Sequence, residues 1–160
     1  HPHDSGALAK LDISSNYYNY SAGPASKGSE EFIRPIASML KTNRTIKELN
    51  LAENYLNAEA GRIFSQDIHD NGALAKLTWS GEEYYEDHKW KDAPPVTLDM
   101  VMKEADFSNK HLGVSGAMIL AAFMSTKLFN ANGALVTLDI SKNMIGAEGA
   151  KHLAPALQEW

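Results

Sequence analysis

The chain has 160 residues, 44% apolar and 22% charged, with a formal net charge of −5 and no cysteine. That length suits one domain able to bury roughly 70% of its unfolded surface, and no apolar run approaches the ~18 residues of a membrane span. The acidic balance without a Lys/Arg cluster argues against a nucleic-acid partner. The missing cysteines exclude a disulfide framework, a thiol nucleophile and a Cys-based zinc site, and favour a reducing, intracellular compartment.

Residues 1–5, containing His1-Pro2-His3-Asp4, read as a disordered terminus or a cloning remnant, with no order of charge and apolar residues that would make a signal peptide. Residues 6–160 read as a single domain. Its first element is a strand, Leu8-Ala9-Lys10-Leu11-Asp12-Ile13-Ser14, in which apolar and polar residues alternate. Asn16 follows, then an insertion over 17–28 rich in Tyr, Ser and Gly. A helix is expected from Ser29, with Ser29 as N-cap and Glu30 and Glu31 in the first turn. Pro35 and, later, Pro155 predict a kink or late start in their helices.

The pattern then returns. Leu49-Asn50-Leu51 leads to Asn54, Leu77-Thr78-Trp79 to Glu82, and Leu138-Asp139-Ile140 to Asn143, while Ala105-Asp106-Phe107 makes a fourth recurrence. The anchors at 11, 49, 77, 105 and 138 are 38, 28, 28 and 33 residues apart, a base period of 28 with insertions. Helical periods follow the last two strands: Ile119, Leu120 and Phe123, then Ala147, Ala150, Leu153, Ala154 and Leu157. Asn71-Gly72 and Asn132-Gly133 each precede a new strand. A single strand–turn–helix of this size cannot bury its apolar face, whereas stacked copies can, with parallel strands on one side and helices on the other.

The third unit departs from this. Over 82–96 it carries an insertion containing Tyr84, Tyr85, His88 and Trp90, and Pro94-Pro95 forbids a regular helix. From Val96 to Met102 the apolar residues alternate with a period of two. An extended segment is therefore expected in place of the helix, crossing the helical side, with the aromatic stretch projecting as a hairpin or loop.

The stretch Ala134-Leu135-Val136-Thr137-Leu138-Asp139-Ile140-Ser141-Lys142-Asn143, with its counterparts from Gly6 to Leu157, resembles the leucine-rich repeat family of the ribonuclease-inhibitor-like type. The resemblance implies an α/β leucine-rich-repeat solenoid, a short right-handed βα superhelix. Five parallel strands would line its concave face and helices its convex face, with the third repeat irregular. It also implies a non-enzymatic module that binds another protein.

On such a face the residues between the buried ones form columns about 4.8 Å apart. One is Lys10, Glu48, Lys76, Glu104 and Thr137, alternating in sign through its first four members. The next is Asp12, Asn50, Thr78, Asp106 and Asp139, a mildly acidic groove. Trp79 belongs to the buried set. These two columns are the leading candidate contact surface, and the tyrosines Tyr17, Tyr18 and Tyr20 with Tyr84, Tyr85 and Trp90 are the second. No phosphate loop, nucleophile elbow or zinc-binding helix motif is present, and His69, His88, His111 and His152 are scattered. No catalytic residue, metal ligand or cofactor is assigned. An alternative to partner binding is a structural unit whose uncapped ends, either cut from a longer array or stacked on other copies, associate weakly. An acidic groove for a small cation or sugar is the third reading.

Overall fold

The structure is a computed structural model that describes residues 7–17, 28–158 and 160. The terminus 1–5 and most of the first insertion, with Tyr18 and Tyr20, lie outside the described residues.

Short strands alternate with helices: β1 (Lys10–Asp12), α1 (Ser29–Thr42), β2 (Glu48–Asn50), α2 (Ala58–Ile68) and β3 (Lys76–Ser80). A hairpin of β4 (Tyr84–Glu86) and β5 (Lys89–Lys91) comes next, then β6 (Pro95–Asp99), β7 (Glu104–Asp106), α3 (Gly113–Met124), α4 (Lys127–Asn132), β8 (Thr137–Asp139) and α5 (Gly146–Gln158). The helices pack in the succession α1, α2, α3, α5. Their inner faces meet Leu49, Leu51, Leu77, Trp79 and Phe107 from the strands in a continuous core. Trp79 has 0% exposure, and its indole N–H donates to the Gly116 carbonyl of α3 at 3.2 Å.

The strands do not form one parallel ribbon of five. β1, β2 and β3 pair in parallel, but β6 then joins β3 antiparallel, while β7 and β8 make a separate parallel pair. The extended segment exists, yet it lies in the sheet and not across the helical side. The reason is the close fit of α2 on α3. A Cβ on Gly61 would lie 3.1 Å from the Ser115 carbonyl oxygen, and the Ser115 hydroxyl donates to the Leu56 carbonyl at 2.9 Å. No room is left between these helices for another chain segment, whereas the edge of β3 offers unpaired backbone groups. Val96 and Leu98 of β6 then turn into the core. Pro95 removes one donor from its outer edge, and the Asp99 N–H turns to the Met102 sulfur at 3.3 Å.

Two local expectations also change. Ser29 lies inside α1, Gly28 takes the cap position without a side-chain bond, and the Ser29 hydroxyl instead accepts from the Asn57 N–H of the next layer at 3.0 Å. In α5 the buried residues are Gly149, Leu153 and Ala156, while Ala147, Ala150, Ala154 and Leu157 face outward, because only the strip of α5 facing α3 is covered. Helices α1 and α5 contain Pro35 and Pro155 within their spans.

Candidate functional site

Alternation turns Leu11, Leu49 and Leu77 toward the helices and their neighbours to the opposite face. The register of β1–β3 places Lys10, Glu48 and Lys76 in one row and Asp12, Asn50 and Thr78 in the next. These six side chains, with Leu11 and Leu49, line a groove of about 350 Å³. Lys10 Nζ stands 3.5 Å from Glu48 Oε2, an exposed pair worth at most ~1 kcal/mol.

The rest of each predicted column is elsewhere. Lys76 lies opposite Asp99 of β6 and not beside Glu104, so the four-charge ladder is interrupted; among the described residues Lys76 makes no ion pair. Thr78 and Thr97 share a hydroxyl hydrogen bond of 2.8 Å across the same junction. Glu104, Asp106 and Asp139, with Thr137, sit on the separate β7–β8 pair. The inserted strand β6 is what parts the two groups.

The acids of the second column have local work. Asp12 accepts from the Ser14 N–H, Asp106 from the Ser108 N–H and Asp139 from the Ser141 N–H, all at 2.9 Å, and Asn50 does the same for Ala52. Each ends its strand by holding the backbone two residues on. Hydrogen bonds from the Ser14 hydroxyl and N–H keep the Asp12 carboxyl below its ordinary range, and Ser108 does likewise for Asp106. Asp12 and Asp106 are therefore charged at neutral pH while serving as turn formers.

The loop rim holds a feature that sequence reading missed. Tyr17, Tyr55, His111 and Met144 each lie six residues past their anchors, and the last three have left-handed φ of 51–52°. Bulky residues in that conformation are uncommon, and their recurrence marks one loop geometry repeated from unit to unit; the recurring spacing is the signal that could have found it. The β4–β5 hairpin turns through Asp87 and His88, both left-handed, and its ring pair Tyr85–Trp90 packs edge-on with centroids 5.4 Å apart. Tyr84 stacks on His111 at 3.7 Å. Tyr84, Tyr85, His111 and Met144, with Glu82 and Glu83, line a second cavity of about 380 Å³. Tyr17 lies apart from it, 6.0 Å from the ring of Phe32. Among the described residues no group of three metal-ligating side chains occurs.

Two substitutions for the recurrent asparagine explain how the odd third unit is held. Glu82 accepts from the Ser115 N–H at 2.9 Å and so caps α3. Asp92, from the end of the hairpin, accepts from the Tyr55 N–H at 3.2 Å, as Asn54 does for the loop before it. Burial pushes the Asp92 carboxyl up to about 7; the N–H bonds from Tyr55 and Ala93 oppose this, and the charges of Glu83 and Glu53 add to it. The folded chain thus keeps a proton that the unfolded chain releases near pH 4, so this group's contribution to stability falls as pH rises from 4 to 7. Asp92→Asn keeps an acceptor and removes the titration. In urea melts the native chain is expected to lose roughly 2 kcal/mol relative to Asp92→Asn between pH 5 and pH 8, allowing for partial wetting of the carboxyl. Parallel pH profiles would refute this.

A family model described as Leucine Rich repeat matches residues 134–154, the stretch holding β8, its asparagine loop and the start of α5. The match supports a leucine-rich repeat over those residues of a mixed α/β chain. Leucine-rich-repeat domains generally mediate protein–protein interaction. No curated protein and no solved structure matches the chain.

Proposed function

We propose that the whole described chain is a leucine-rich-repeat domain of the ribonuclease-inhibitor-like type that binds another protein and performs no catalysis. Its contact surface is the strand face of β1–β3, with the aromatic rim beside the hairpin as a flank. The observation that supports this is the 350 Å³ groove, where six polar side chains from three successive strands stand in two rows. Such a surface offers an extended segment donors, acceptors and both signs of charge without a buried hydrophobic anchor, which suits a specific partner held by many modest contacts. The Asp106–Asp139 pair extends the polar surface beyond β6 and is secondary to it.

The test is site-specific photocrosslinking in native extract with benzoylphenylalanine at position 50 or 78, at position 85, and at position 34 on the exposed side of α1. Adducts to one protein from positions 50 and 78, and not from 34, are the expected result. Adducts from position 85 alone would move the contact to the hairpin, and a strand face silent at both positions would overturn this reading.

A further inference from the structure

The joints between the parallel strands are built alike. In the first, the Ile13 N–H donates to the Asn50 carbonyl and the Glu48 N–H to the Ala9 carbonyl, at 3.0 and 3.1 Å. In the second, Leu51 donates to Thr78 and Lys76 to Lys47, at 2.8 and 3.0 Å. In the last, Phe107 donates to Asp139 and Thr137 to Lys103, at 2.7 and 3.0 Å. Glu48 and Lys76 thus bond back to the strand before them. Glu104 holds their position in β7, yet the strand before β7 is β6, and these two are not hydrogen-bonded neighbours.

The seam between β6 and β7 lies inside the chain, with described residues on both sides. A turn closes one end, where the Met102 N–H donates to the Asp99 carbonyl at 3.0 Å. Beyond the turn the strands part: nearly all of their Cα pairs exceed 8 Å, against the ~4.8 Å spacing of bonded strands. Lys103 and Phe107 bond to β8, so Ala105 does too, and Glu104 and Asp106 direct their N–H and carbonyl groups into the seam. Among the described residues those groups meet no partner. Opposite them, the Met100 N–H donates to the Ala75 carbonyl at 2.9 Å, which by alternation assigns Leu98 and Val96 to the bonds with β3. Thr97 therefore turns its own N–H and carbonyl into the seam. Leu98 and Ala105, 0% and 2% exposed, close it on the core side, so it opens on the strand face. The side chains bordering that opening are Pro95, Thr97 and Asp99 from β6 and Glu104 and Asp106 from β7, three acids and no base. Bases stand outside it: Lys76 across β6 on β3, and Lys103 and Lys110 beyond the two ends of β7.

We propose that this seam binds an extended basic segment of another protein, which enters as an added strand parallel to β7 and antiparallel to β6. Its carbonyls accept from the Glu104 and Asp106 N–H groups and its N–H groups donate to their carbonyls, as Lys47 and Leu51 serve Lys76 and Thr78 within the chain. Thr97 offers one donor and one acceptor to its other edge. Lysine or arginine at every second position stands beside Asp99, Glu104 and Asp106, where an acidic segment would be repelled. The residues between face the closed floor and must be small. The site lies beyond β6 from the β1–β3 groove, and neither reading depends on the other.

Amide hydrogen exchange, read by NMR on the purified chain, tests this with a capped synthetic peptide of alternating lysine and alanine. In the free chain the Glu104 and Asp106 amides are expected to exchange freely, while the Phe107 amide, bonded to β8, stays protected. Saturating peptide is expected to slow the two seam amides roughly ten-fold or more and to leave the Glu48 amide unchanged. A peptide of alternating glutamate and alanine is expected to protect neither. Glu104→Lys, at an exposed position, is expected to weaken binding of the lysine peptide roughly five-fold with an unchanged melting curve. Seam amides already protected in the free chain would overturn the proposal, as would equal protection by both peptides or none by the lysine peptide. Protection that grows with the concentration of the chain alone would assign the seam to a second copy and overturn it equally.

Discussion

Asn54→Ala is expected to lower the unfolding free energy by about 3 kcal/mol, with a fall in midpoint temperature of roughly 10 °C. The side chain is fully buried. Its oxygen accepts from the Asn16 and Tyr17 N–H groups at 2.8 and 2.9 Å. Its nitrogen donates to the Ile13, Leu51 and Ala52 carbonyls at 3.0, 2.9 and 3.3 Å. Truncation leaves backbone groups of two loops without partners where water cannot easily reach, and an unmade buried bond costs more than a made one contributes. Asn16→Ala, the same repeat position at an exposed edge, is expected to change stability by less than about 0.5 kcal/mol. Thermal and urea melts of the two variants make the comparison. Equal effects would show that the loops do not depend on the interior carboxamide.

Gly81→Ala is expected to cost about 3 kcal/mol and to loosen the joint between the third and fourth units. A Cβ there would lie 2.2 Å from the His111 carbonyl oxygen and 2.4 Å from the Leu112 Cα, both backbone atoms that cannot step aside as a side chain would. The neighbouring Glu82 N–H donates to that same His111 carbonyl at 3.0 Å, so the collision falls on the bond that ties the loops together. Hydrogen exchange at the Glu82 amide is expected to accelerate along with the loss of stability. Gly72→Ala, where nothing lies within 4 Å of the added carbon, is the control and is expected to be near neutral. A Gly81→Ala variant as stable as the native chain would mean the two units are not pressed together as described.

Much of the architecture is visible in residue spacing because strands and helices announce themselves locally. The alternation around Leu11, Leu49, Leu77, Ala105 and Leu138 locates five strands and assigns Trp79 to the core, where it has 0% exposure. The recurrent asparagines mark the turns, and a period of two around Val96 and Leu98 identifies an extended segment. Six of the ten residues of the two columns come together in one groove for the same reason. The other four, Glu104, Thr137, Asp106 and Asp139, do not, because their placement depended on whether β7 would be the next strand after β3.

That question has no local answer. A two-residue period says which side chains share a face, but every strand edge with unpaired backbone is an eligible neighbour. The contest was decided by packing far away in the chain: α2 closing on α3 at Gly61 and Ser115 shut the helical side, and the edge of β3 took β6 instead. Asp92 standing in for an asparagine, His111 stacking on Tyr84 and the rim at Tyr55 and Met144 are equally products of distant segments meeting. Periodicity reports the energetics of one segment against a generic interior. Partnership is set by competition among segments for the same hydrogen bonds and the same space, and only the assembled fold resolves it.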